Sequence, residues 1–305
     1  MFASHQFPLQ LPRLMKRLFP LLCFLGALLA SSGISYALSI PASEDTTATD
    51  KKITLAASNA VKGTAGIVLG MVTVLGGTLP SVRYLEGQMV GDFQIGKYEV
   101  TWGEWKTVRE WAANNGYSDL AGVGAGTGDK YPVTDVSWYD VVKWCNARSE
   151  KEGKTPVYQV NETTYKTGQS VPMVKTSAKG YRLPMEAEWE WAARGGRQTH
   201  GYTYSGSNDL NTVGWWVANS ANATHEVGTK AANELGLFDM SGNVWELCWD
   251  LNSSRSANRR IRGGGWNCFA GFATVSYRGY NLYEGIPGGR RYDHVGFRLA
   301  CSSGQ

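Results

Sequence analysis

The sequence predicts an α+β fold with short elements and long irregular loops, and three observations support this. The 305-residue chain is 43% hydrophobic and 18% charged, which is enough apolar material for a sizeable core. Its 37 glycines, 12 tryptophans and 15 tyrosines favour turns that are held by large aromatic rings. Finally, three segments before residue 200 show helical spacing of apolar residues, whereas no long helical pattern follows.

The first 37 residues have the pattern of a signal peptide. A basic region with Arg13, Lys16 and Arg17 precedes the apolar stretch 18–30, and residues 35–37 offer a cleavage site. Because this stretch is shorter than the roughly 20 residues that span a bilayer, cleavage is favoured over an uncleaved anchor. We therefore predict an exported protein, periplasmic or secreted, without a membrane segment after cleavage.

Export changes the interpretation of the net charge of +4. Three positive charges and no acidic residue lie in the signal peptide, so the remainder of the chain carries +1. Arg255, Arg259, Arg260 and Arg262 are predicted to form a solvated face or the entrance to a site. No nucleic-acid-binding motif accompanies them, so no nucleic-acid partner is expected.

The predicted domain follows a polar leader. Residues 38–65 are interpreted as flexible because polar residues dominate the stretch, and the domain is predicted over residues 66–302. It opens with residues 71–75, which are β-rich and too short to span a membrane, and which we expect to form a buried strand. No tandem repeat is present.

Two of the three predicted helices carry N-terminal capping signals. Thr101 and Glu104 form a capping box before the first helix, and Ser137 caps the second, with Asp140 in its first turn. Tryptophans follow each cap at helical spacing. We interpret them as core residues that pack the helices onto a sheet, not as a cofactor site.

The third helix is predicted to begin at Pro184, with Glu190 and Arg194 paired one turn apart. Short strands are expected at 156–160 and 165–166. The chain after residue 200 is expected to be mostly irregular.

Four cysteines remain after signal cleavage. Cys145 is interpreted as a core residue, and Cys248 and Cys301 as core or disulfide-paired residues. The chain has no Cys-x-x-Cys pair and its four histidines are scattered, so neither a zinc site nor a histidine-based iron site is predicted. Serine-hydrolase, phosphate-loop and paired-carboxylate patterns are also missing from the sequence.

Six segments carry a recognisable pattern. They are 95–101, 132–133, 181–184 with 186–195, 236–246, 262–266 and 296–300. In this order and spacing they resemble the formylglycine-generating enzyme family, also called the sulfatase-modifying factor family. The resemblance covers residues 70–301 and implies a fold related to the C-type lectin-like domains, low in regular secondary structure.

The resemblance also implies a candidate catalytic site. Founding members oxidise a sulfatase cysteine to Cα-formylglycine, using oxygen and a copper ion held by two cysteines, and thiolates suit Cu(I). The first of these cysteines falls on Cys268, the candidate catalytic and copper-binding residue, but the second falls on Ala273. The alternative for Cys268, which is favoured, is a small buried thiol in the core. Gly265 and Phe269 replace a serine and a histidine that are typical of the family.

A calcium site is implied by the segment that includes 239–244. The matching positions are Asp239, which would bind through its side chain, and Met240, Gly242 and Val244, which would bind through backbone oxygens. Hard oxygen ligands on a tight loop suit Ca²⁺. The alternative is a tight turn without an ion. The family's other calcium loop would lie between residues 208 and 228, where no ligands can be assigned.

Two further family residues are expected to be structural. Glu246 is interpreted as a buried, hydrogen-bonded scaffold residue, and Arg298 as a donor to buried carbonyl groups.

Three functions remain open from the sequence. The first is a binding or accessory domain for a peptide, glycan or protein. The second is a formylglycine-generating oxidoreductase that acts through Cys268. The third is another tailoring enzyme of the superfamily, where the pyoverdine-maturation type fits export and the ergothioneine type lacks its iron-binding helical domain. The first is favoured because Gly265, Phe269 and Ala273 depart from the oxidase together.

Overall fold

We describe the fold from a computed structural model of the chain. It describes residues 70–80, 84–251, 258–279, 286–287 and 289–303, all of which belong to one unit spanning 62–305. The predicted signal peptide and leader, and Arg255, lie outside the described residues. Within these ranges, every helix is too short or too polar to cross a membrane.

Two of the four α-helices in the described ranges follow the predicted capping signals, and the short fourth helix was not predicted. The four helices are α1 (Trp102–Ala113), α2 (Trp138–Lys151), α3 (Glu186–Ala193) and the short α4 (Leu210–Val213). Capping boxes at Thr101 and Ser137 are both present. α3 begins two residues later than predicted because Met185 is still extended, with a ψ of 152°.

Twelve short strands are present among the described residues. They are β1 (Met71–Val74), β2 (Gly77–Thr78), β3 (Met89–Val90), β4 (Phe93–Gly96), β5 (Tyr158–Val160), β6 (Thr163–Thr164), β7 (Met173–Val174), β8 (Trp245–Leu251), β9 (Asn258–Arg262), β10 (Ile286–Pro287), β11 (Val295–Gly296) and β12 (Ala300–Ser302). The sheet orders are β1-β4-β12, β2-β3, β6-β5-β7 and β10-β9-β8-β11. Among these strands, only β8 and β11 pair in parallel.

The strand predictions were partly wrong. β1 lies where a buried strand was predicted, but it is the edge of its sheet and only Val74 in it is buried. β6 lies two residues before the predicted strand at 165–166. The reason is a two-residue turn at Asn161 and Glu162, both with positive φ, which pairs Val160 directly with Thr163. β8 and β9 were not foreseen.

Trp105 of α1 and Trp138 and Trp144 of α2 are buried core residues, as predicted, whereas Trp102 and Trp111 of α1 are only partly buried. Trp105 and Trp144 stack with their ring centroids 5.5 Å apart, and Phe297 meets both rings edge-on. Their buried indole N–H groups are satisfied, because Trp105 donates to the carbonyl of Val123 and Trp144 donates to that of Trp105. The two helices are thereby fixed against each other.

The prediction of a solvated arginine face was wrong. Arg259, Arg260 and Arg262 lie on β9 and are all buried. Arg262 donates to Glu190 at 2.6 Å, and Glu186 lies 3.4 Å from both Arg260 and Arg262. Since both glutamates belong to α3, the helix supplies the counter-charges that allow arginines inside the domain.

Candidate functional site

Cys268 lies in a turn that follows β9, and its sulfur is held by neighbours. Its amide donates to the carbonyl of Gly265 at 2.9 Å. The indole N–H of Trp245 donates to Sγ at 3.1 Å, and the thiol donates to Asn267 Oδ1 at 3.5 Å. Burial raises the pKa of the Cys268 thiol, and the bond from Trp245 opposes this only in part. The thiol is therefore protonated at neutral pH, and it is the thiolate that attacks or binds metals.

The position of the family's second copper cysteine is apolar. Ala273 is 1% exposed and packs against Leu210 and Val213 of α4. Phe269, in the place of the family's histidine, is 70% exposed and supplies no donor atom. The residues around Cys268 therefore do not fit a copper ion held by two thiolates.

The other cysteines are also free thiols. Cys145, Cys248 and Cys301 are buried core residues, so the alternative of disulfide pairing was wrong for Cys248 and Cys301. The thiol of Cys301 donates to Gln94 Oε1 at 3.3 Å. Within the described ranges, no group of three or more His, Cys, Asp or Glu side chains is arranged to hold a metal ion.

The predicted calcium loop is tightly wound. Asp239, Gly242 and Asn243 have positive φ values of 57°, 92° and 57°, so three of five consecutive residues have left-handed backbone conformations. The amide of Asn243 donates to the carbonyl of Trp215, and that of Gly242 donates to the carbonyl of Gly263, both at 2.8 Å. Neighbouring segments thus hold the loop in this shape.

Glu246 and Arg298 form a fully buried ion pair beside this loop. Arg298 Nε and Nη2 each donate to the Glu246 carboxylate at 2.6 Å, and the Trp189 indole adds a third bond at 2.7 Å. The guanidinium also donates to the carbonyls of Gly96 and Phe238. Both residues are therefore structural, as predicted.

Two more buried carboxylates lie close enough to interact electrostatically with this guanidinium. Glu99 accepts from Asn243 Nδ2 at 2.6 Å and from the amide of Val244 at 3.1 Å. Asp239 Oδ2 accepts from the amide of Gly228 at 2.7 Å, whereas Oδ1 is buried without a hydrogen-bond donor among the described residues. Burial raises the pKa of Asp239 to about 6 and, together with the nearby carboxylates, holds the pKa of Glu99 well above its usual range.

This arrangement fits a cation. Three carboxylates face one guanidinium, and one Asp239 oxygen has no donor among the described residues, so positive charge at that oxygen would be stabilised. The predicted ligand set adds the backbone oxygens of Met240, Gly242 and Val244, which are hard donors that suit Ca²⁺. Calcium stays a prediction for this loop.

Sequence reasoning missed several of these features. The bond from Trp245 to Cys268 and the approach of Glu99 to Asp239 link residues that are far apart in the chain. The only sequence signal was that Glu99 lies within the first matched segment, two residues before the capping threonine.

The sequence is similar to a known protein family and to several of its members. The family profile described as "Sulfatase-modifying factor enzyme 1-like domain" matches residues 57–303. "Chaperone protein LppX" of Paenibacillus barcinonensis is 37% identical over 219 residues, which cover 62% of this chain and 75% of that protein. "Inactive C-alpha-formylglycine-generating enzyme 2" of Bos taurus is 28% identical over 200 residues, which cover 61% of this chain and 56% of that protein.

A solved structure shows the same architecture. The crystal structure of CarF superimposes with a TM-score of 0.68 at 28% identity, over 78% of this chain and 99% of that one. This likeness confirms the predicted α+β fold with little regular secondary structure.

Proposed function

Because the chain belongs to the sulfatase-modifying factor family, we propose that it is an exported accessory domain that binds another protein and has lost the copper oxidase chemistry. The observation that carries this proposal is the apolar packing of Ala273, which leaves Cys268 as a lone thiol. A lone thiol kept protonated by burial is a poor ligand for Cu(I).

The surroundings of Cys268 favour a binding surface. Phe269 presents its ring to solvent, and Trp266 and Phe272 beside it are only partly buried. Aromatic side chains are enriched among the residues that dominate protein interfaces. The names of two relatives, a chaperone and an inactive enzyme, point the same way. The proposed ligand is an extended segment of another exported protein.

The oxidase activity is expected to be missing. Purified protein, incubated with Cu(I), oxygen and a peptide that carries Cys-x-Pro-x-Arg, should leave the peptide cysteine unchanged by mass spectrometry, with an active family oxidase run alongside. Conversion of the cysteine to an aldehyde, abolished in Cys268→Ala, would contradict the proposal and establish an oxidase that works with one thiolate.

The binding surface is expected to depend on Phe269. The protein should slow the aggregation of a reduced, unfolded secreted protein, measured by light scattering, and Phe269→Ser should weaken this effect several-fold because an aromatic anchor is lost. The matched control is Met173→Ser, since Met173 on β7 is 68% exposed and Phe269 is 70% exposed. If the two variants behave alike, or if the parent protein has no effect, the proposed surface is wrong.

We further propose that calcium stabilises the domain through Asp239. At a calcium concentration of about 100 times Kd, the free energy of unfolding should rise by about 2.7 kcal/mol, and Asp239→Ala should abolish that rise because it removes the side-chain oxygen ligand. The measurement is thermal unfolding in calcium and in chelator. Asp129→Ala is the control, because the side chain of Asp129 is 72% exposed. A calcium response that survives in Asp239→Ala would place the ion elsewhere.

The calcium effect should also depend on pH. The raised pKa of Asp239 means that the calcium-free folded protein binds more protons than the unfolded chain between about pH 4 and pH 6. The contribution of Asp239 to stability in chelator should therefore fall as pH rises through that window. Calcium binds the ionised carboxylate, so its contribution should grow over the same range.

A further inference from the structure

A pocket of about 310 Å³ lies among the loops of the domain. It lies between the loop after α1, the turn at 220–224, and the segments that hold Trp266 and Asp293. Its lining consists of Ala125, Gly126, Thr127, Thr134, Ala223, Thr224, Trp266 and Asp293. Neither Cys268 nor Asp239 is among these residues. We call it the Trp266 pocket.

The walls of the Trp266 pocket are held by main-chain bonds. Ala125 and Thr134 exchange both of their backbone hydrogen bonds at 2.9 Å. The amide of Trp266 donates to the carbonyl of Asn243 at 2.6 Å, and its own carbonyl accepts from Ser220 Oγ at 2.8 Å. The pocket is therefore preformed, which lowers the entropic cost of binding a small ligand.

Three threonine hydroxyls of the lining are available to a ligand. In the part of the chain that the structure describes, the side chains of Thr127, Thr134 and Thr224 have no hydrogen-bond partner within the protein. Thr134 is only 6% exposed, and its hydroxyl reaches solvent through the pocket. Because a threonine hydroxyl can both donate and accept, these three side chains offer a ligand hydrogen bonds of either kind.

The remaining surface combines one aromatic ring with one carboxylate. Trp266 is half-buried, and the small residues Ala125, Gly126 and Ala223 leave space in front of it. The Asp293 carboxylate is 71% exposed, and its Oδ1 already lies 2.7 Å from His294 Nδ1. The polar part of the lining is thus mostly neutral and rich in hydroxyl groups.

We propose that the Trp266 pocket binds a neutral sugar ring. The C–H groups on one face of a pyranose carry partial positive charge, and they would contact the negative face of the indole. The hydroxyl groups of the sugar can donate to Asp293 and can both donate to and accept from the threonines. A single small ligand then uses every polar group of the lining.

A basic side chain is a weaker match. A lysine or arginine would also contact the indole and the carboxylate. However, Asp293 is already paired with His294, no second carboxylate is among the described residues that line the pocket, and lysine has no acceptor to offer the Thr134 hydroxyl. The sugar site shares Trp266 with the proposed protein-binding surface, but it uses neither Phe269 nor Cys268, so the test at Phe269 and the saccharide test can fail separately.

The test is binding of free saccharides to the full-length mature protein. Methyl glycosides of glucose, galactose, mannose, xylose and N-acetylglucosamine, and the corresponding disaccharides, are screened by saturation-transfer NMR, and Kd is measured by titration calorimetry. Trp266→Ala should raise Kd at least tenfold, and Asp293→Asn and Thr134→Val should raise it several-fold. Trp111→Ala, which removes another half-buried tryptophan from α1, should leave Kd unchanged.

The outcomes are distinct. At least one saccharide that binds to the parent protein and to Trp111→Ala, but not to a folded Trp266→Ala variant, supports the proposal, with folding checked by circular dichroism. No saccharide binding at all, or binding that survives Trp266→Ala, overturns it. If a lysine- or arginine-containing tripeptide binds in a Trp266-dependent manner and no saccharide does, the pocket is a cation site and the proposal is also overturned.

Discussion

Arg298→Met is expected to lower the free energy of unfolding by about 3–5 kcal/mol, because removing one partner of a buried pair strands the other charge. Arg298 and Glu246 are both fully buried, and the guanidinium also lowers the pKa values of Glu99 and Asp239 against the effect of burial. The substitution would leave three carboxylates together in the core. The loss also includes the bonds to the carbonyls of Gly96 and Phe238.

Urea unfolding followed by circular dichroism measures this loss. The control is Lys106→Met, which removes a cation from the exposed pair between Lys106 and Asp129 and should change stability by less than about 1 kcal/mol. Equal losses in the two variants would show that Arg298 has no special structural role.

Two further measurements separate charge from lost packing. Adding Glu246→Gln to Arg298→Met should cost less than the sum of the single losses, because one stranded charge disappears. The loss in Arg298→Met should also be smaller near about pH 5 than near about pH 8. Stranded carboxylates have raised pKa values, so the folded variant takes up protons as pH falls and recovers stability.

The elements that the sequence predicted correctly depend on local contacts. Thr101 with Glu104, and Ser137 with Asp140, are partners three residues apart, so both capping boxes could be recognised without any tertiary information. The pair between Glu190 and Arg194 is also local, and it forms with an N–O distance of 2.8 Å. Such contacts depend only on the geometry of the helix itself.

The errors concern contacts between distant segments. Arg262 was expected near solvent, yet its partner Glu190 lies 72 residues earlier in the chain, so the sequence alone could not place the counter-charge. β8 carries a run of buried residues whose pattern has no clear alternation, because both of its faces are covered. When both faces of a strand are buried, apolar and polar residues no longer alternate along it, and this alternation is what identifies a strand in a sequence.

In the candidate sites, too, single-residue features could be predicted from the sequence, whereas contacts between distant segments could not. The missing copper cysteine could be recognised at Ala273 because it is the loss of one residue at one position. The Trp266 pocket could not be predicted, since residues as far apart as Thr134 and Asp293 form it and no motif unites them. Asp239 was identified through the family pattern, but its pKa is raised mainly by burial, which only folding produces.

Gly242→Ala is expected to lower the free energy of unfolding by about 3 kcal/mol or more. A Cβ at Gly242 would lie 2.3 Å from the carbonyl oxygen and 2.8 Å from the amide nitrogen of Trp215, both of which are backbone atoms. The φ of 92° adds a penalty of about 1–2 kcal/mol for any residue with a side chain. Because the backbone of Trp215 is bonded to Asn243, relief of the clash would break the contact that holds the predicted calcium loop.

Gly236→Ala is the matched control, since Gly236 has a φ of 75° but a Cβ placed there would meet no other atom within 4 Å. It should show the cost of positive φ alone, about 1–2 kcal/mol, so the difference between the two variants measures the contact with Trp215. Gly242→Ala should also reduce the thermal shift produced by calcium, whereas Gly236→Ala should retain it. Equal losses of unfolding free energy in the two variants would mean that the backbone around Trp215 moves aside at no cost. The loop would then be too flexible to hold its carbonyl groups in place for an ion.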